Sequence, residues 1–267
     1  MIKTVDPGKV YSFGVKWLAS WALVNWNYSL GLASPKSRSV VYGICNQLGL
    51  DDLGRKKAEL PKVVCEAVLP KLTAQILSPE PIDGNVSLLE LLIICSFAKE
   101  HAVKAAFEIG TFNGRTALNL SLNMPKDANV YTLDLPSDEV ANAAGVLDRG
   151  DIHYVRNHSP GELFARWADA SGARITQLLG DSASFDYGPY RNAVDLVFID
   201  GAHSYDYVKR DTESALSLLR NGKGVVFWHD YDACIGVINA VDELNRSHPE
   251  YNIRHIEGTK LAYMART

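Results

Sequence analysis

The chain has 267 residues, 47 % of them hydrophobic and 22 % charged, with a formal net charge of −4 at neutral pH. That length holds one large α/β domain with an extension, or two small domains, and its apolar share can fill a real core. The lack of a basic excess argues against nucleic acid or anionic membrane as partners, and four scattered cysteines without a CxxC pair read as free thiols of a reducing compartment.

The N-terminal stretch MIKTVDPGKV lacks the apolar run of a secretory leader. No window approaches the roughly 20 apolar residues of a membrane span, so a cytoplasmic protein is expected. Residues 1–84 read as a helical extension. Trp17, Trp21, Val24 and Tyr28 fall on one helical face. Core packing is the ordinary reading of such a face; a wall of an acceptor pocket or a homodimer contact is the functional one. The segment PKVVCEAVLPKLTAQIL (61–77) predicts a second helical stretch interrupted by Pro70. SPEPIDGNVS is a loop, and Ser87 is placed to cap the helix LLELLIICSFAKEH, with Glu90 at capping-box spacing.

From residue 85 to 267 a single α/β domain is expected. AAFEIG (105–110), NVYTLD (129–134), RITQLLG (174–180), VDLVFID (194–200) and KGVVFWH (223–229) predict strands, with helical patterns between most of them. Near-continuous apolar strands alternating with helices imply a parallel sheet covered on both faces. YNIRHIE and KLAYMAR flank a short glycine turn and predict a terminal antiparallel hairpin, giving seven strands in all.

The loop after the first of these strands, in FEIGTFNGRTALNLSL, carries the first chemical signal. Gly110 permits a sharp turn, and Gly114 permits close approach to a helix N-terminus. The spacing GxxxG departs from the GxGxxG of dinucleotide-binding loops. Asp134 ends the next strand about 20 residues on, where an acid can hold a ribose diol; stabilising the turn before Pro136 is its bland alternative.

FEIGTFNGRT, VYTLDLP, LLGDSASFD, LVFIDGAHSYDYVKRD and VVFWHDY follow in order at strand ends. Together they resemble the class I S-adenosylmethionine-dependent methyltransferases, in the branch of bacterial small-molecule and sugar O-methyltransferases. The resemblance implies a Rossmann-like, doubly wound fold and S-adenosylmethionine as cofactor. It implies that Glu108, Gly110, Thr111 and Gly114 wrap the methionine part, with Thr116 bonding its carboxylate. Asp134 and Leu135 would hold the ribose, Asp181 and Ser182 flank the adenine, and Asp200 lie beside the methyl donor. The ligand chemistry agrees: this cofactor has an amine and a diol but no phosphate, so it calls for carboxylates more than for glycines.

An acceptor hydroxyl must also lose its proton, through a general base or a divalent metal. His203, three residues after Asp200, is either that base or a ring that orients the loop. Asp200 and Asp230 end what should be neighbouring strands. With His229 they form a candidate site for Mg²⁺, or for Mn²⁺ or Zn²⁺ if the imidazole ligates. The resemblance implies acids at the same strand ends in metal-dependent relatives, which usually add a second acid or an amide beside the last one; here His229 and Tyr231 stand there, and the alternative is a metal-free site in which Asp230 orients His203. The other histidines (His101, His153, His158, His248 and His255) read as surface or core, and Asp206, Asp211 and Glu213 as a solvated helix face. Segment 137–170 is long for a connection and is expected to close one side of the site. The expected function is methylation of a small hydroxylated acceptor. An N-methyltransferase, or a module that binds the cofactor without catalysis, is the alternative.

Overall fold

The computed structural model describes residues 58–145, 147–167 and 172–266, and in the N-terminal stretch residues 18, 20–22, 25, 26 and 29. Of the expected aromatic face, Trp17, Val24 and Tyr28 lie outside the described residues. Trp21, like Trp26, is helical and exposed. The chain divides into two compact units, Met1–Lys56 and Lys57–Thr267. The second unit thus takes in residues 57–84, which the sequence reading grouped with the extension. No helix among the described residues is long and apolar enough to cross a membrane.

The second unit is an eight-stranded sheet in the order β1-β7-β8-β6-β5-β2-β3-β4. Its strands are β1 (Lys62–Val63), β2 (Ala105–Ile109), β3 (Asn129–Asp134), β4 (Arg174–Leu179), β5 (Leu196–Ile199), β6 (Gly224–Trp228), β7 (Arg254–Ile256) and β8 (Ala262–Arg266). Pairing is parallel except where β8 runs against β6 and β7. The helices are α1 (Cys65–Val68), α2 (Leu88–Glu100), α3 (Arg115–Asn123), α4 (Arg149–Asn157), α5 (Glu162–Arg166), α6 (Tyr205–Leu218) and α7 (Ile235–Ser247).

Alternation along the strands sorts the core into two layers. Ala106, Leu196, Phe198, Val225 and Phe227 pack with Leu91 and Ile94 of α2 and Leu120 of α3. Their neighbours Phe107, Val197, Ile199, Val226 and Trp228 pack with α6 and α7 on the other face. Both layers are apolar, so β2 and β5 are buried at every position.

Segment 61–77 departs from the helical expectation. Lys62 and Val63 add an eighth strand to the open edge of β7, and the chain is helical only over Cys65–Val68. Pro61 and Pro70 forbid a long helix, and Pro61 is tolerated because it sits at the sheet edge. Beyond α1 the chain runs as a strap held by two side-chain amides on α3. Asn123 accepts from Gln75 N–H at 2.8 Å and Asn119 from Leu77 N–H at 2.7 Å, and both donate back to the same residues' carbonyls. An amide carries donor and acceptor together, so asparagines one helical turn apart can serve an extended chain as a strand edge would.

Candidate active site

The strand order reverses between β2 and β5, the place where open α/β sheets leave a crevice beyond their carboxyl ends. A cavity of about 440 Å³ lies there, within the usual range for small-ligand pockets. Ile109, Gly110, Leu133, Asp134, Leu135, Gly180, Asp181 and Ser182 line one end, and Asp200, His203, His229, Asp230 and Lys260 the other.

Gly110 must be glycine. Its φ is +99°, and a Cβ would stand 2.1 Å from the carbonyl oxygen of Asp200, so any side chain would push β2 and β5 apart. Gly114 is also left-handed, at φ +87°, but a Cβ there would strike the Phe164 ring and Gly161. It is required for packing against α5. Asn113 Oδ1 accepts from Arg115 N–H at 3.1 Å, just ahead of α3. Glu108, Thr111, Gly114 and Thr116 do not line the cavity. Glu108 lies beneath its floor, where Thr132 donates to it and Thr111 meets Thr132 at 2.6 Å. Burial, with Asp200 and Asp134 nearby, pushes the Glu108 carboxyl well above the ordinary range.

Asp134 accepts from Phe112 N–H at 2.7 Å and from Leu135 N–H at 2.9 Å. It holds its turn and still faces the cavity, since a carboxylate has about four acceptor positions. Burial raises it to about 6 against the pull of those two bonds. Asp181 accepts from the N–H groups of Ala144 at 2.6 Å and Ala183 at 2.9 Å, and from the Tyr207 hydroxyl at 3.2 Å. Asp211 corrects the solvated-face expectation. Asp206 and Glu213 are exposed, but Asp211 is fully buried behind Gly201, and burial raises it to about 7.

At the other end the side chains interlock. His203 Nδ1 lies 2.6 Å from Asp151 Oδ1 and Nε2 lies 3.0 Å from Asp230 Oδ2, while its backbone N–H donates to Asp151 Oδ2 at 3.1 Å. Burial alone would lower this imidazole, but the bonds to Asp151 and Asp230 hold it up at about 11. It is therefore an imidazolium with both nitrogens engaged. Of the two roles read from sequence, this geometry favours orientation over the free base. Asp151 sits on α4, so the same contact ties segment 137–170 to the site, as that segment's length led one to expect. Tyr154 of α4 donates to Asp83 at 3.1 Å, and Phe112 packs edge-on to Tyr154 and His158. His158, read as surface or core, lines the cavity.

Asp200, His229 and Asp230 converge as the strand ends predict, their donor atoms lying within 4.8 Å of one another. His229 Nδ1 stands 3.0 Å from Asp200 Oδ1 and 3.4 Å from Asp230 Oδ2, yet it is buried without a well-formed hydrogen bond. Burial opposes charge on this ring, but the Asp200, Asp230 and Glu90 carboxylates hold it well above the usual histidine range. Asp230 is held well below the usual carboxylate range by His203 and His229, despite its burial. Lys260 Nζ reaches Asp230 Oδ1 at 2.9 Å. Two carboxylates and an imidazole nitrogen this close together form a donor set that could hold a divalent cation, which would displace the Nδ1 proton on binding. Asp151, Lys260 and Glu90 are among the residues that sequence reasoning did not assign to the site. Asp151 and Lys260 lie outside the strand-end motifs, and the role of Glu90 as a helix cap hid its second contact.

Residues 107–231, from within β2 to just past β6, match the family described as a methyltransferase domain. Among solved structures, the chain resembles the SAH-bound methyltransferase PaMTH1 of Podospora anserina, with 17% identity and a TM-score of 0.50 over 69% of this chain and 81% of that one. It also resembles the O-methyltransferase NovP, with 18% identity and a TM-score of 0.52 over 68% and 81%. At such identities the likeness is one of fold. No curated protein matches the chain.

Proposed function

We propose that the methyltransferase domain of this protein transfers a methyl group from S-adenosylmethionine to a hydroxyl of a small molecule, a sugar or a natural-product intermediate. The observation that carries this reading is the single cavity joining Gly110, Asp134, Asp181 and Ser182 at one end to Asp200, His203, His229 and Asp230 at the other. The first end suits a ligand with a ribose diol and a base; the second suits a polar acceptor whose proton must be managed. The two similar structures, one an SAH-bound methyltransferase and one an O-methyltransferase, support the same assignment.

In this proposal Asp134 takes the ribose hydroxyls, Asp181 and Ser182 flank the adenine, and Asp200 lies beside the reacting methyl. The His203 imidazolium holds Asp230 toward the acceptor and Asp151 over the site. Asp200 takes the hydroxyl proton as the methyl transfers. Methyl transfer is an in-line displacement whose hard chemistry belongs to the cofactor, so alignment and proton removal are what the chain must add. Asp200, Asp230 and His229 would hold a divalent metal, Mg²⁺ or the softer Mn²⁺, which when bound would acidify the acceptor hydroxyl. The division at residue 84 belongs to the same reading, with the extension setting acceptor specificity. Its last residues, Pro81 to Gly84, line the cavity. Cys65, Cys95 and Cys234 are free thiols, in keeping with a cytoplasmic location.

The test is calorimetry with S-adenosylmethionine, S-adenosylhomocysteine and NADH, followed by a screen of hydroxylated and amine acceptors with labelled methyl donor. Binding of the first two and label on a hydroxyl are expected. Binding of NADH alone would end the reading, and label on amines only would replace it with N-methylation.

A further inference from the structure

Helix α2 begins at the capping box expected from its sequence. Glu90 N–H donates to Ser87 Oγ at 3.3 Å, and Ser87 N–H donates to Glu90 Oε2 at 2.7 Å. Capping asks no more of this carboxylate. Yet Oε2 also lies 3.3 Å from His229 Nε2, and Oε1 accepts the N–H of Lys260 at 2.6 Å. Glu90 is 3% exposed and His229 8%, so these contacts form in the interior, where a carboxylate must be fully partnered. One side chain thus links the start of α2, the end of β6 and the turn between β7 and β8.

The contact decides which nitrogen of His229 faces the cavity. An ionised carboxylate only accepts, so it holds an N–H of the ring at Nε2. Nδ1 is then turned toward Asp200 and Asp230, at 3.0 Å and 3.4 Å. A cation held by Asp200 and Asp230 would take the place of the Nδ1 proton and leave the N–H that Glu90 holds. We propose that Glu90 is a positioning residue for the reacting end of the cavity, fixing the His229 ring so that Nδ1 completes a cation-binding face with Asp200 and Asp230. The same carboxylate anchors the backbone of Lys260, whose ammonium reaches Asp230. This rests on the reading of that end as the methyl-transfer centre.

The experiment separates cap from positioning with three variants. Glu90→Gln can still serve the capping box, but one amide cannot accept from Ser87, His229 and Lys260 together. Glu90→Asp keeps the charge and loses the reach. Ser87→Ala removes the other half of the cap and leaves the carboxylate. Mn²⁺ affinity, His229 nitrogen shifts from long-range ¹H–¹⁵N NMR, S-adenosylhomocysteine affinity and melting temperature are measured for each. Both Glu90 variants should lose about 10–100-fold in Mn²⁺ affinity, the usual effect of removing a histidine's supporting carboxylate, and should shift the His229 nitrogens. Ser87→Ala should melt lower and keep both. S-adenosylhomocysteine affinity should hold throughout. Unchanged Mn²⁺ affinity and nitrogen shifts in the Glu90 variants, or equal losses in Ser87→Ala, would overturn the proposal. If the wild type binds no Mn²⁺, the metal part of the functional reading fails, and unchanged nitrogen shifts alone then overturn the role of Glu90. If it binds no S-adenosylhomocysteine, the functional reading fails and the nitrogen shifts still decide the role.

Discussion

Cofactor binding should depend on pH through Asp134, and the structure sets both the sign and the size. In the free protein burial raises this carboxyl to about 6. Ribose hydroxyls would donate to it and favour the charged form, returning it to the ordinary range near 4. The complex then binds fewer protons than the free protein between about pH 4 and 6, so affinity rises with pH across that window and levels off above it. Between pH 7 and pH 5 the loss should be about tenfold, or about 1.4 kcal/mol, because one pH unit below the pKa leaves about one protein in ten ready to bind. Calorimetry with S-adenosylhomocysteine at pH 5, 6, 7 and 8, in buffers of different ionisation enthalpy, measures both the affinity and the proton released. Asp134→Asn should bind more weakly by about 1–3 kcal/mol at pH 7 and show no slope below pH 6. A flat wild-type profile from pH 5 to 8, or the same slope in Asp134→Asn, would refute the reasoning and leave Asp134 a turn residue.

Three further outcomes are expected. Gly110→Ala places a methyl on the Asp200 carbonyl in a left-handed backbone; overpacking should cost about 1–3 kcal/mol and lower the melting temperature by several degrees, and an unchanged melt would show that β2 and β5 can part freely. His203→Ala should reduce turnover while S-adenosylhomocysteine affinity stays near wild type, and the wild-type rate should show no titration near pH 6.5; a break there would restore His203 as the free base. Methyl transfer should fall after exhaustive chelation and return with Mg²⁺ or Mn²⁺, whereas full activity without metal would remove the ion from the proposal.

The parallel sheet, its hairpin and the two-faced burial of β2, β5 and β6 were legible because they are written in local period. Apolar runs of five or six residues between helical patterns leave few other architectures open. The capping box at Ser87 and Glu90 was legible for the same reason: its partners stand three residues apart. Strand-end acids could be placed at one crevice because parallel strands end together, and Asp200, His229 and Asp230 do converge.

Contacts between segments distant in sequence were decided only by the tertiary structure. Nothing near Asp151 signals that it clamps His203 from 52 residues away. Nothing near Glu90 signals His229, 139 residues away, or the turn at Lys260. Asp211 reads as solvated on its own helix and is buried because Gly201 and the sheet end cover it. The strap at 69–77 reads as helix and runs extended because two asparagines of α3 offer it backbone-like partners. The chain's periodicity determined which residues face inward. Which inward-facing charges meet one another was determined by the packing of α2, α4 and the β7–β8 turn around the strand ends, since a charge's partner is chosen by distance in space and no local pattern encodes that distance.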